Sequence, residues 1–404
     1  MNNNRKSKSI KKKSIKIKYS KENKDFYNLL CNNKQKIIKK FELQIYKLNN
    51  SDIPIRFKIL ALPISFKEKS VLINKYESLE KTDPSSPEYF KYISYFNTII
   101  QLPFGKYHNL NIDNSINFLN QSQNILNNVI YGNFEAKNHI LQMLSIYISN
   151  PKSSPNIFGL TGPMGVGKTT LIKEGLSKCM NSRPFEFISL GGLCDSSYFD
   201  GHSFTYEGAR YGKFAEILLK HKIMNPIIYF DELDKVSNTE KGNEIIDLLI
   251  HITDPTQNSK FVDKYFSDIY IDLSKCIFVF SYNNKEYVNS ILRDRIFEIN
   301  IEDYSIKEKI IITNKFILPS LINEIGIDIN KFKFENNKII EYIIIKYALN
   351  SVGMRYIKKI LFQILSKINL LIISNFNLNL LHIKQKIQKK FPIIINKKLI
   401  EILL

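Results

Sequence analysis

Acidic residues are scarce at both ends of this chain. Residues 1–40 hold 14 Lys/Arg against 2 Asp/Glu and residues 356–404 hold 9 against 1, whereas residues 41–355 balance at 35 and 35, so the formal charge of +20 belongs to the ends. Two readings of those ends stay open: they bind nucleic acid or another polyanion, or they are solvated tails that steer encounters. Cysteine is also scarce. Cys31, Cys179, Cys194 and Cys276 stand far apart with no C-x-x-C or Cys/His ligand spacing, which excludes a disulfide framework and a zinc site and fits free thiols in a reducing compartment. Long apolar runs are missing too. No apolar segment follows the basic N-terminus as in a secretory signal, and Leu370 to Ile373 is far too short to span a bilayer. The expectation is a soluble, intracellular, cytoplasmic protein with no membrane partner; Lys11-Lys12-Lys13 leaves a nuclear address open. What is present is 404 residues at 44% hydrophobic content, enough for two or three domains with a real core.

One stretch organises the rest: Ile157-Phe-Gly-Leu-Thr-Gly-Pro-Met-Gly-Val-Gly-Lys-Thr-Thr170. An apolar strand, Ile157 to Thr161, leads into a loop with G-x-x-x-x-G-K-[ST] spacing and then a helix. Gly162, Pro163, Met164, Gly165, Val166, Gly167, Lys168, Thr169 and Thr170 form a candidate nucleotide-binding loop. Its glycines let the backbone curl into a nest of inward N–H groups, and the helix adds the positive end of its dipole. Lys168 then reaches the β- and γ-phosphates of a triphosphate, and the Thr169 hydroxyl takes a place on Mg²⁺.

Along the chain, residues 1–25 are Lys/Asn/Ser-rich and read as a disordered tail. Residues 26–125 read as a helical arm, with Leu43, Ile45, Leu48, Leu60, Ile64, Val71, Leu72 and Leu79 at helical spacings and Thr82-Asp-Pro-Ser-Ser-Pro87 as a turn or helix start. Pro151-Lys-Ser-Ser-Pro155 is a loop that delivers the chain to the phosphate-binding strand. Residues 126–300 alternate strands (Phe185 to Leu190, Ile227 to Phe230, Cys276 to Ser281) with helices (Lys213 to His221, Asn243 to Ile252). Apolar strands alternating with helices predict an α/β fold, a parallel sheet flanked by helices. Residues 301–404 read as a small helical lid.

The remaining parts of an ATPase stand at workable positions. Ile227-Ile-Tyr-Phe-Asp-Glu232 is an apolar strand ending in two acids: Asp231 to hold Mg²⁺, Glu232 to orient and polarise the attacking water. Asn283 ends the next strand and could touch the γ-phosphate or the water. Arg293 and Arg295 follow, either as an arginine for a neighbouring subunit's nucleotide or as partners in a salt bridge within the chain. Arg355 opens a lid helix that could reach the nucleotide.

These residues resemble the ATPase module of Lon proteases, within the AAA+ group of P-loop NTPases, over roughly residues 55–404. More specific than the phosphate loop are Ser189-Leu-Gly-Gly192, Gly201-His202 with Thr205-Tyr206, Phe230-Asp-Glu-Leu-Asp-Lys235, Asp254-Pro-Thr-Gln-Asn258 and Asp272-Leu-Ser-Lys275. The resemblance implies a homo-oligomeric ring, a hexamer, binding ATP and Mg²⁺ at subunit interfaces. It makes Arg295 the catalytic arginine acting in trans and Arg355 the lid arginine on the nucleotide. Tyr206 becomes the pore-loop aromatic gripping an unfolded protein, and Tyr131 lies near the adenine. Departures accompany it. No Ser/Lys peptidase sequence follows the lid, so peptide cleavage in cis is not expected; Glu207 follows Tyr206 where the family has an apolar residue; Met164 replaces a proline. The expected function is ATP-driven unfolding or remodelling of proteins. The alternatives are a nucleic-acid-acting ATPase, a nucleotide-switched scaffold, and a partner of a separately encoded peptidase.

Overall fold

The computed structural model describes residues 20–49, 53–110, 112–150, 157–193, 195–336, 338–376 and 390–404. Pro151 to Pro155, Cys194 and residues 1–19 of the expected tail lie outside the described residues. The chain divides into two units, residues 1–100 and 101–404.

The first unit is helical, with helices Lys21–Leu29, Asn32–Asn49, Ile55–Ala61, Phe66–Glu80 and Pro87–Ile99. The expected disordered tail is corrected at its end. A helix already begins at Lys21, because the Ser20 side chain accepts the N–H of Asn23 and satisfies a first-turn donor that water would otherwise have to meet. Ser65 and Glu68 form a reciprocal capping box at the start of Phe66–Glu80. The Thr82 to Pro87 punctuation does start a helix: Ser86 caps it and Pro87 takes its first turn, where a missing N–H costs nothing. Ile59, Leu72, Leu79, Tyr95, Phe96 and Ile99 are buried. The side chains of Leu43, Ile45 and Leu48 lie outside those described.

The division falls after Ile100 rather than at residue 125. Helix Ser115–Val129 packs on the helix that follows the phosphate loop, with Leu126 buried beside Gly175 and Cys179 Sγ donating to Ser122 O at 3.5 Å. It therefore belongs to the second unit.

That unit is built on five strands: β1 (Ile157–Thr161), β2 (Phe185–Ser189), β3 (Ile227–Asp231), β6 (Ile277–Tyr282) and β7 (Phe297–Asn300), with a short antiparallel pair, β4 (Phe261–Val262) and β5 (Tyr270–Ile271), between β3 and β6 in sequence. The sheet is parallel throughout, in the order β2-β3-β6-β1-β7. Phe158, Phe230, Phe278 and Phe280 are buried almost completely, each contributing about 1.5–3 kcal/mol of hydrophobic stabilisation. β7 was not legible as a strand, since Phe-Glu-Ile-Asn is short, and its Phe297 is exposed at the sheet edge. Because β1 lies between β6 and β7 and the chain leaves it for the far edge, the strand order reverses beside β1, the position at which open α/β sheets form a ligand crevice.

After the sheet, a capping box of Ser305 and Glu308 starts helix Ile306–Ile312. A wider π-type segment, Thr313–Ile317, joins it to Leu318–Ile325. Pro319 explains the widening: it has no N–H for the carbonyl four residues earlier. Helices Lys338–Ala348, Arg355–Ile373 and Lys397–Leu403 and a parallel pair, β8 (Phe332–Phe334) and β9 (Ile393–Ile395), complete this part. Among the described residues, no helix is long and apolar enough to cross a membrane.

Candidate functional site

The carboxyl ends of β1, β3 and β6 meet around one cavity of about 460 Å³. The loop after β1 begins at Gly162, whose φ of +144° and close approach to Ile301 leave no room for a side chain: a Cβ would sit 2.1 Å from the Ile301 carbonyl oxygen. The loop ends at Gly167, where helix Lys168–Thr170 begins and continues through a π-type turn to Cys179. Lys168 is buried at 8% exposure. Its Nζ donates to Gly162 O at 2.5 Å, Tyr282 O at 3.2 Å and Asn283 Oδ1 at 2.8 Å, tying the ends of β1 and β6 together. Burial holds its ammonium below the ordinary lysine value, against the pull of the Asp231 and Asp234 carboxylates.

Asp231 ends β3 and Glu232 follows it in the left-handed region at φ +61°. A non-glycine residue held there stores strain of about 1–3 kcal/mol, a feature concentrated at functional sites. Glu232 is fixed by a short ion pair to Lys235 and a 3.4 Å contact from Ser189 Oγ. The Thr169 hydroxyl donates to Tyr229 OH at 3.3 Å. Asp234 was not singled out from the sequence, yet its Oδ2 accepts the backbone N–H groups of Asn283 and Asn284 at 3.1 and 3.0 Å. The only sequence signal was its place inside Phe230-Asp-Glu-Leu-Asp-Lys235.

The opposite wall is apolar and comes from two directions. Ile130 and Tyr131 precede helix Phe134–Ser149, and Ile312, Phe316 and Ile317 come from the lid. Lys137, also unread from sequence, is buried and donates to Ile130 O at 2.8 Å, which fixes that end of the wall. Tyr304 OH donates to Val166 O at 2.8 Å and Met354 N donates to Gly165 O at 3.0 Å, so the mostly helical segment that follows the sheet is bonded directly to the loop after β1.

Residues 158–303 match a family model described as ATPase family associated with various cellular activities (AAA). The chain is 38% identical over 339 residues to a Lon protease homolog of Acanthamoeba polyphaga mimivirus, covering 81% of this chain and 32% of that one. It is 34% identical over 326 residues to Lon protease 2 of Borreliella burgdorferi, covering 80% and 38%. With the mitochondrial Lon protease homolog of Homo sapiens it shares 31% over 334 residues, covering 82% and 34%. This chain belongs to the Lon-type AAA ATPases. It spans about a third of the length of these curated relatives.

The fold brings most of the sequence-predicted residues of this Lon-type AAA module together. Met164, Gly165, Val166, Gly167, Lys168, Thr169, Thr170, Asp231, Glu232, Asn283, Tyr131 and Arg355 all line the cavity. Gly162 and Pro163 lie at the loop's start, outside the lining. Arg295 is not brought in. It pairs with Asp254 at 2.9 Å and donates to Ile250 O at 3.2 Å, the alternative that residue chemistry left open. Arg293 lies 3.9 Å from Glu298. Tyr206 stands on a separate loop, 68% exposed.

Proposed function

We propose that this Lon-type AAA module binds ATP with Mg²⁺ at the carboxyl edge of its sheet and hydrolyses it to unfold or remodel protein substrates. The observation that carries the reading is the single cavity onto which Lys168, Thr169, Asp231, Glu232 and Asn283 converge from three strand ends. The fit to the nucleotide is chemical as well as spatial. A backbone cradle that a Cβ would fill suits phosphate, and the apolar wall of Ile130, Tyr131 and Phe316 suits a purine. A hydroxyl from Thr169 and a carboxylate from Asp231 are the hard oxygen donors Mg²⁺ takes beside phosphates. Bound there, the metal would neutralise charge developing on the phosphoryl oxygens.

In this reading Lys168 holds the phosphates, Glu232 takes the proton of the attacking water, Asn283 positions that water, and Arg355 contacts the nucleotide from the lid. Arg295 acts across an interface in a ring, a hexamer, once freed from Asp254. Tyr206, exposed on its loop, contacts the unfolded polypeptide. We assign peptide-bond cleavage to none of these residues.

The test is steady-state ATP hydrolysis by the wild type and Glu232→Gln, alone and with an unfolded protein or DNA added. Glu232→Gln is expected to keep nucleotide affinity and lose turnover by about 10²- to 10³-fold, the scale of a positioned general base. Unchanged turnover removes Glu232 from its role. Stimulation by unfolded protein supports remodelling, whereas stimulation by DNA alone replaces it with a nucleic-acid-acting ATPase.

A further inference from the structure

The amino edge of the sheet holds a second cavity, of about 690 Å³, larger than the one at the carboxyl edge. It is lined by Arg183, which leads into β2 and is only 2% exposed. Arg183 Nε donates to the Asn225 carbonyl, Nη2 donates to Lys275 O at 2.6 Å, Nη1 reaches Met180 Sδ at 3.8 Å, and the Tyr147 hydroxyl is a further partner. These partners are carbonyls, a thioether and a hydroxyl. The guanidinium is therefore buried against neutral groups, and leaving a buried cation without an opposite charge costs several kcal/mol.

The rest of the lining sharpens the point. Lys275 and His108 are the other groups there that can carry positive charge, and among the described residues no Asp or Glu lines the cavity, the Asp272 carboxylate acting on its edge at Tyr107. Asn225 locks the wall in place, accepting from His108 N at 2.7 Å and donating to His108 O at 3.0 Å. Tyr107 and Tyr147 add aromatic surface, and much of the remainder is aliphatic. A preformed, largely apolar concavity with a few convergent polar groups is the form of a small-molecule site; the guanidinium's Nε and Nη2 edge is taken by carbonyls, so what it offers an anion there is its uncompensated charge rather than a bidentate fork.

We infer that this cavity binds a small organic anion, a phosphate or carboxylate carried on an aromatic or aliphatic body, with the anion beside Arg183 and Lys275 and the body against the tyrosines. The site is independent of the nucleotide reading. It sits at the other end of five-residue strands, roughly 16 Å away at the usual rise of a strand.

The experiment is calorimetric titration of the full chain carrying Lys168→Ala, which disables the phosphate loop, with phenyl phosphate, benzoate and inorganic phosphate as probes. Saturable binding of phenyl phosphate or benzoate, one per chain and tighter than inorganic phosphate, is the expected result; the better of the two names the anion. Arg183 ties three loops together, so its removal risks the fold. Lys275→Gln and Tyr107→Ala are the informative variants, each expected to weaken binding at least tenfold with an unchanged circular dichroism spectrum. Absence of saturable binding by both organic probes overturns the inference, as does affinity unaltered in both variants.

Discussion

Asp234 holds Asn283 by its backbone: one carboxylate oxygen accepts the N–H of Asn283 at 3.1 Å and that of Asn284 at 3.0 Å. This sets where the Asn283 side chain meets Lys168, a contact between the ends of β3, β6 and β1. Asp234→Asn replaces a charged acceptor by a neutral amide, a change of about 1.5 kcal/mol for such hydrogen bonds. Turnover is expected to fall about tenfold with ATP affinity nearly unchanged. Single-turnover hydrolysis beside equilibrium nucleotide binding checks this, and a loss confined to affinity would contradict it.

The lid meets the loop at Gly353, where φ is +66° and a Cβ would stand 2.3 Å from Met164 O. Gly353→Ala should push the lid off the loop and break the Met354–Gly165 hydrogen bond, together about 2 kcal/mol of strain and lost bonding. Nucleotide affinity is expected to drop roughly 30-fold while the sheet keeps its thermal transition. Fluorescent-nucleotide titration and calorimetry separate the two.

Arg295 is engaged with Asp254 inside its own chain. The Thr256 hydroxyl and N–H, and then Arg295, hold the Asp254 carboxyl well below the usual carboxylate range. If Arg295 acts across an interface, Arg295→Ala should lose most turnover without shifting the unfolding midpoint appreciably, and mixing it with Glu232→Gln subunits should restore part of the activity. No rescue at any mixing ratio would confine Arg295 to its intramolecular pair.

Asp263 sits at the base of the loop that carries Tyr206, accepting Gly212 N at 2.8 Å and Tyr265 N at 2.9 Å. Burial pushes its carboxyl up to about 7, with Asp200 adding to the rise and the backbone N–H groups opposing it. A carboxyl with a raised folded value contributes stability that is fully present below its unfolded value, about 4, and is lost as pH climbs through about 7. The unfolding free energy should therefore decline between about pH 4 and pH 7, by at most about 1.4 kcal/mol per pH unit from this group. Asp263→Asn should flatten the decline; an unchanged slope would show that the group is ionised throughout.

The cavity at the carboxyl edge was legible because its parts are written as short contiguous runs: apolar strands leading into Gly162, Asp231 and Asn283, all at the same end. What was not legible depends on sheet order or on distant packing. Asp234 acts on residue 283 only because β3 and β6 are neighbours. Lys137 and Tyr304 each donate to a backbone carbonyl, Ile130 O and Val166 O, which carries no side-chain signal, and their side-chain partners, Asn127 and Asn133, are met only through the packing. The helix at Lys21 was missed because basic composition argued for disorder while one capping serine argued against it. The division at residue 100 was missed because helical periodicity does not say which neighbour a helix packs against.

The phosphate loop is gripped from outside through its own carbonyls, Val166 O by Tyr304 and Gly165 O by Met354. Both donors stand beyond the sheet, in the segment that carries the lid. Two hydrogen bonds thus tie the loop's backbone to that segment, so a displacement of either one strains the other. Sequence drift in that segment would therefore shift the backbone of the loop while leaving every residue of the loop as it is.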